Sequence, residues 1–121
     1  MCRAGAAGSF EQMHRATDEA LVVDLEARSG EVWVLPQGEL DLDTVEEMEQ
    51  AMSIALASEA ERVVIDLRGL EFLDSTGLRT IAGACAGPDG RRIQLVPGND
   101  TVQGVLNVSG LASELPFRPA G

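Results

Sequence analysis

The chain has 121 residues, enough for one hydrophobic core, and its aromatic content of 3% leaves aliphatic side chains and methionine to fill that core. Its formal net charge of −11 repels phosphate backbones and anionic lipid surfaces, which argues against nucleic-acid binding. The same charge would attract a basic protein partner, or it simply keeps the protein soluble.

The N-terminal region predicts a flexible tail. Residues 1–18 mix Gly, Ala, polar and charged residues without a clear period, so we expect this tail to precede a domain over residues 19–121. The tail lacks the apolar segment of a signal peptide, and no run elsewhere approaches the roughly 20 apolar residues of a membrane span. We therefore expect a cytoplasmic protein without membrane insertion, in which Cys2 and Cys85 are free thiols and Cys85 packs as a small apolar side chain.

Two strands and an amphipathic helix come next. Residues 21–27 and 31–36 have strand chemistry and are joined by a short turn, which predicts an antiparallel hairpin. A helix then begins near Thr44, where Glu47 three residues later fits a capping box, unless Asp43 is the cap. Its apolar side is expected to pack on a core rather than form a partner groove, and carries Val45, Met48, Met52, Ala55 and Leu56.

Strands and helices alternate in the rest of the chain. Residues 62–67 are nearly all apolar, as in a central parallel strand, and a helix that begins at Ser75 should end near Gly87 and Pro88. The remaining elements are a strand over 92–96, a helix over 101–108 that Gly110 closes, and a short strand around Leu115 and Phe117. This order predicts a single small α/β domain with a mixed, mostly parallel sheet of four to five strands and helices packed over it.

Signatures of catalysis are absent from the sequence. It has no CxxC pair or other spacing of metal ligands, no GxxxxGK phosphate loop, and no GxSxG elbow around Ser75. A hydrolase would also need a histidine base, and the only histidine, His14, lies in the predicted tail. We therefore expect a protein that is not an enzyme and that binds neither a metal nor a cofactor.

Ser75 is the most informative residue of the chain. It follows Asp74 at the start of a helix and at the carboxyl end of a central strand, where open α/β sheets carry their sites. Serine and aspartate are favoured N-caps, so a purely structural role is an alternative for both residues. A phosphoryl group on Ser75 would add about −1.5 to −2 charge, part of which the helix N-terminus would offset. The position is therefore suited to a phosphorylation that leaves the fold intact.

A second segment, residues 38–44, also leaves a strand and enters a helix, so it should emerge at the same edge of the sheet. Asp41 could orient the Ser75 hydroxyl or help a kinase to position its substrate. Alternatively, Asp41 and Asp43 only end the strand and cap the helix. The residues alone leave both interpretations open.

These segments resemble the anti-sigma factor antagonist family of STAS domains over roughly residues 20 to 118. The most specific part of the resemblance is the string Asp74, Ser75, Thr76, Gly77 and Leu78. Residues 38–41, 64–67 and 108–111 support it. The family fold, a small sheet with helices packed over it, agrees with the predicted order of elements.

The resemblance implies a bacterial partner-switching protein. Members of this family bind an anti-sigma factor that is also a serine protein kinase of the histidine-kinase-like ATPase fold, and this binding releases the sigma factor. The kinase phosphorylates the motif serine, which falls on Ser75 with Thr76 as a second hydroxyl, and a PP2C-type serine phosphatase restores binding. The family's loop aspartate falls on Asp41. The predicted surround of the phosphorylation site, which contacts the partner, is Asp41, Asp43, Thr44, Asp74, Thr76 and Gly77.

The chain departs from the family at three places, of which the first is that residues 1–18 exceed the usual N-terminal length. Gly87 and Pro88 cut the second helix short, and the last predicted strand is not followed by the family's usual final helix. These departures leave the oligomeric state and the identity of the partner open. Some STAS-like domains instead bind small ligands or serve as cytoplasmic subunits of transport complexes without a kinase, which is the alternative function.

Overall fold

The computed structural model describes residues 20–118 and the backbone of residues 16–17. The strands are β1 (Ala16–Thr17), β2 (Leu21–Arg28), β3 (Glu31–Leu40), β4 (Arg62–Asp66), β5 (Leu70–Leu73) and β6 (Ile93–Val96). The helices are α1 (Val45–Ala57), α2 (Ser75–Ala86) and α3 (Asp100–Ser109), with short 3₁₀ turns at Leu67–Gly69, Gly90–Arg92 and Ala112–Glu114. Of the predicted tail, residues 1–15 and 18 lie outside the described residues, Cys2 and His14 among them.

The sheet is mixed and mostly parallel, which confirms the predicted fold class. Its order is β1-β2-β3-β4-β6, with β5 also paired to β3. The pairs β1–β2 and β2–β3 are antiparallel, whereas β4 and β5 run parallel to β3, and β6 runs parallel to β4. The short strands β1 and β5 bring the sheet to six strands, beyond the four to five that the sequence predicted.

The predicted hairpin is confirmed by β2 and β3. Arg28 pairs with Glu31, and both residues of the turn between them, Ser29 and Gly30, have positive φ angles of 46° and 85°. Such a turn matches the right-handed twist of the flanking strands. Strand β3 continues four residues beyond the predicted end at Pro36, because β2 pairs with it as far as Gly38 and β5 pairs with its residues from Gly38 to Leu40.

Strand β5 is, with β1, one of two strands that the sequence prediction missed, since no element was predicted between the strand over 62–67 and the helix at Ser75. The first half of β3 pairs with β4, and its last residues pair with β5. Leu40 at the end of β3 is the register partner of Leu73 at the end of β5. The residues that follow each strand, Asp41 and Asp74, are therefore brought side by side.

The helices bury one face of the sheet. The core is aliphatic, as the low aromatic content requires, and its largest fully buried side chains are Leu21, Leu25, Leu40, Met48, Ile65, Leu67, Leu70, Leu73, Ile81, Ile93, Leu95 and Leu106. Met48 and Met52 of α1 are both buried, which confirms that its methionines belong to the core. Cys85 is partly buried against the same core.

The capping box predicted for α1 is wrong. Thr44 is the N-cap residue, but its hydroxyl makes no capping hydrogen bond, and Asp43 does not cap the helix either. Instead the buried Thr44 hydroxyl donates to the Glu39 carbonyl at 2.8 Å and accepts the Asp41 N–H at 3.0 Å. These two bonds, which reach back to the end of β3 and the residue after it, replace the helix-capping bond.

The C-terminal part of the chain follows the predicted order of elements, except that the predicted last strand is shorter than expected. Helix α2 ends at Ala86 before Gly87 and Pro88, and Gly110 closes α3 in the left-handed conformation. The predicted last strand is only an isolated bridge from Phe117 to Leu95. Among the helices in the described part of the chain, none is long and apolar enough to cross a membrane.

Candidate functional site

Two chain segments meet at the carboxyl edge of the sheet. The loop between β3 and α1 lies beside the junction of β5 and α2, because Leu40 and Leu73 are in register. The Asp74 N–H donates to the Leu40 carbonyl at 3.1 Å, and the Leu42 N–H donates to Asp74 Oδ2 at 3.3 Å. These bonds join the two segments that the sequence singled out into one surface.

Asp74 is the N-cap of α2. Its backbone is extended, and its Oδ1 accepts the Gly77 N–H at 2.9 Å. This bond satisfies one of the donors that a helix leaves unpaired in its first turn. The capping role that the sequence left open for Asp74 and Ser75 thus belongs to Asp74.

Ser75 is the first residue of α2 and is exposed. Within residues 20–118, its hydroxyl has no hydrogen-bond partner, and neither do the backbone N–H groups of Ser75 and Thr76. A helix N-terminus with unpaired N–H groups favours negative charge. An added phosphoryl group would therefore meet open solvent and two donors of its own helix.

Thr76 is less accessible than Ser75. It is partly buried in a groove between α1 and α2, which is also lined by Met52, Arg79 and Gly83. Exposure therefore favours Ser75 over Thr76 as the acceptor of a phosphoryl group.

Gly77 lets α2 sit directly on the ends of β3 and β5. A Cβ atom at this buried position would lie 2.7 Å from Leu40 Cγ and 2.8 Å from Leu73 Cδ1. Such distances are well inside the contact distance of carbon atoms. The missing side chain of Gly77 thus fixes how closely α2, and Ser75 with it, approaches the sheet edge.

Asp41 and Thr44 organise the neighbouring loop. Asp41 Oδ1 accepts the N–H groups of Asp43 at 3.0 Å and Thr44 at 3.2 Å. Asp43 itself is exposed. No hydrogen bond joins Asp41 to Ser75 within the described part of the chain, where the Asp41 carboxylate is engaged by its own loop.

The site is acidic. Asp41, Asp43 and Asp74 converge at the edge where Ser75 is exposed, and none of the three forms an ion pair with another described residue. A doubly charged phosphate on Ser75 would add to this negative field. The one basic residue of α2, Arg79, lies one helical turn after Ser75.

Leu40 and Leu73 are the site-forming residues that sequence reasoning missed. Both are fully buried, and their register partnership sets the positions of Asp41 and Asp74. A signal was present, because each is followed by aspartate and then by a helix within a few residues. The repeated Leu-Asp step marks two strands that end at the same edge.

Comparison with known proteins finds a matching family and a similar sequence. A family described as "Mlab, STAS domain" matches residues 25–116. A protein from Paenibacillus polymyxa named as an anti-sigma F factor antagonist is 30% identical over 100 residues, which cover 80% of this chain and 86% of that protein.

Solved structures are similar as well. A crystal structure of an anti-sigma factor antagonist from Mycobacterium paratuberculosis has a TM-score of 0.74 and 25% identity, and covers 87% of this chain and 91% of the other. The anti-sigma factor antagonist SpoIIAA in its unphosphorylated form has a TM-score of 0.60 and 27% identity, covering 80% and 88%.

Proposed function

Because this chain belongs to the anti-sigma factor antagonist family of STAS domains, we propose that it binds an anti-sigma factor that is also a serine protein kinase, and so releases a sigma factor. Phosphorylation of Ser75 by this kinase switches the binding off. A PP2C-type serine phosphatase restores it. The protein itself acts by binding, not by catalysis.

The observation that supports this proposal is that Asp74 caps helix α2, which leaves the exposed Ser75 without a structural role. Asp74 caps α2 through the Gly77 N–H, so the fold does not need the Ser75 hydroxyl. Ser75 is exposed at the first position of the helix, beside unpaired N–H groups that tolerate negative charge. Modification of the serine therefore leaves the fold intact and changes only what the surface presents.

The charge of the product explains why the partner would leave. A kinase that phosphorylates Ser75 must place the terminal phosphate of ATP against the serine hydroxyl. After transfer, the new phosphate faces the phosphates of ADP, with Asp41 and Asp74 close by on its own side. Like charges juxtaposed in an interface cost several kcal/mol of binding free energy. The unmodified serine carries no such penalty.

The proposal is tested by incubating the protein with ATP and each serine kinase of the histidine-kinase-like ATPase fold from the source genome. Intact-mass spectrometry with site mapping should show one phosphate on Ser75. Ser75→Ala should remain unmodified and still bind the kinase, whereas Thr76→Val, the matched control at the neighbouring hydroxyl, should be phosphorylated like the wild type.

Absence of phosphate on the wild-type protein with every kinase would contradict the proposal. Co-purification with a transporter subunit in that case would support the alternative, a STAS-like ligand-binding or transport-associated subunit that works without a kinase. A single phosphate on Thr76 would support a phosphorylation switch but would show that Thr76, not Ser75, is the modified residue.

A further inference from the structure

One apolar side chain stands out at the acidic edge. Leu42 follows Asp41 in the loop between β3 and α1, and the residue is 70% exposed. An isolated exposed leucine is common on protein surfaces and by itself carries no meaning. The backbone of Leu42, however, is held in place from a distant part of the chain.

The hydrogen bond from the Leu42 N–H to Asp74 Oδ2 crosses 32 positions of sequence. The other oxygen of the same carboxylate caps α2, and Ser75 is the next residue. Asp74 therefore fixes Leu42 relative to the serine. An interface that receives Leu42 also places the Ser75 hydroxyl at a defined position.

Charged residues surround Leu42. Asp43 and Glu46, both exposed, follow it at the start of α1. Binding hot spots are commonly apolar anchors that enter a pocket within a ring of polar contacts that exclude water. A leucine flanked by carboxylates fits a partner pocket that is apolar inside and basic on the side that faces α1.

We propose that Leu42 is the apolar anchor of the kinase interface, and that its side chain enters an apolar pocket of the partner whose basic rim pairs with Asp43 and Glu46. This proposal rests on the proposed function, since the partner is the kinase that phosphorylates Ser75. Asp74 is the positioning residue that aligns the anchor with the serine.

Val108 supplies a matched control. It is an apolar residue near the C-terminal end of α3 and is 90% exposed. Val108 lies in the last turn of α3, outside the two segments, residues 40–44 and 73–77, that form the site. Truncation of Val108 removes exposed apolar surface outside these two segments.

The test measures the affinity of the ADP-loaded kinase that phosphorylates Ser75 for the wild-type protein and for Leu42→Ala, Leu42→Met and Val108→Ala. Burial of a leucine side chain predicts that Leu42→Ala binds roughly 10- to 100-fold more weakly. Leu42→Met should stay within about threefold of the wild type, because it keeps most of the apolar volume. Val108→Ala should bind like the wild type.

Steady-state phosphorylation gives a second readout. If Leu42 contributes only to docking, Leu42→Ala should raise KM for the protein substrate and leave kcat unchanged. All variants should unfold at the wild-type temperature, since both residues are exposed. If Leu42→Ala and the wild type bind the kinase with equal affinity, Leu42 is not the anchor of the interface, but the proposed phosphorylation switch at Ser75 is unaffected. If no kinase binds or phosphorylates the wild-type protein, both the proposed function and the proposed role of Leu42 are wrong.

Discussion

The carboxylate of Asp74 holds Leu42, in the loop after β3, against the start of helix α2. One oxygen accepts the Leu42 N–H at 3.3 Å and the other accepts the Gly77 N–H at 2.9 Å. A single side chain thus performs two tasks: it caps the helix that carries Ser75, and it ties the neighbouring loop to that helix.

Replacement of Asp74 should therefore cost stability. Asp74→Ala loses the helix cap and the loop bond, and we expect the free energy of unfolding to fall by about 0.5–2 kcal/mol in urea titrations. Asp74→Asn keeps a side-chain oxygen that can cap, so it should lose less. Equal stability of Asp74→Ala and the wild type would show that the carboxylate is not needed to hold this edge together.

Two glycines of α2 provide a matched pair. Gly83 has open space around the position of a Cβ atom, so Gly83→Ala should stabilise the protein by about 0.5–1 kcal/mol through helix propensity. Gly77→Ala would place a methyl group against Leu40 and Leu73, and such overpacking costs about 1–3 kcal/mol. Urea unfolding of both variants should rank Gly83→Ala clearly above Gly77→Ala. The reverse order would mean that α2 is not seated on the strand ends as described.

The buried Asp66 carboxylate makes stability depend on pH. Burial raises the pKa of Asp66, but hydrogen bonds from the Arg68 side chain and backbone N–H outweigh this effect and hold the pKa below its usual value. Because the folded-state pKa is the lower one, the ion pair stabilises the protein above the unfolded-state pKa of about 3.9. This stabilisation is lost as the pH falls through the folded-state pKa.

Arg68→Ala tests this ion pair. At pH 7 it should lower the free energy of unfolding, because the buried Asp66 carboxylate loses its partner, and the difference from the wild type should shrink below about pH 4. Arg91→Ala is the control, since Arg91 is exposed and forms no ion pair with the described residues. A pH-independent effect of Arg68→Ala would show that packing of its aliphatic stem, not the charge, is what matters.

The thiol of Cys85 should be unreactive at neutral pH. Burial raises its pKa to about 11, and the thiolate is the nucleophilic form. In a Cys2→Ser protein, alkylation by iodoacetamide at pH 8 should be far slower than that of a free cysteine peptide, and should accelerate up to about pH 11. A rate at pH 8 equal to that of the peptide would place Cys85 outside the core.

The sequence predicted the elements whose signals are local. The hairpin turn at Ser29 and Gly30, the end of α2 before Pro88 and the closure of α3 at Gly110 follow from residues a few positions apart. The start of α2 at Ser75 was predicted in the same way, from the neighbouring Asp74.

Elements that depend on distant partners were not predictable in this way. Strand β5 has only four residues, and Phe72 within it is 42% exposed, so no alternation marks it as a strand. Its pairing with β3 brings together residues about 30 positions apart, such as Leu40 and Leu73. The contact between Leu42 and Asp74 follows only once this register is known.

The measurement that tests the central claim most directly compares the affinity of the ADP-loaded kinase for the Ser75-phosphorylated and unmodified forms of this protein. Repulsion between the new phosphate and the nucleotide phosphates predicts binding on the order of 100-fold weaker for the phosphorylated form. Ser75→Asp should weaken binding in the same direction while unfolding at the wild-type temperature. Equal affinity of the two forms, with both folded, would contradict the claim that phosphorylation of Ser75 switches the protein off.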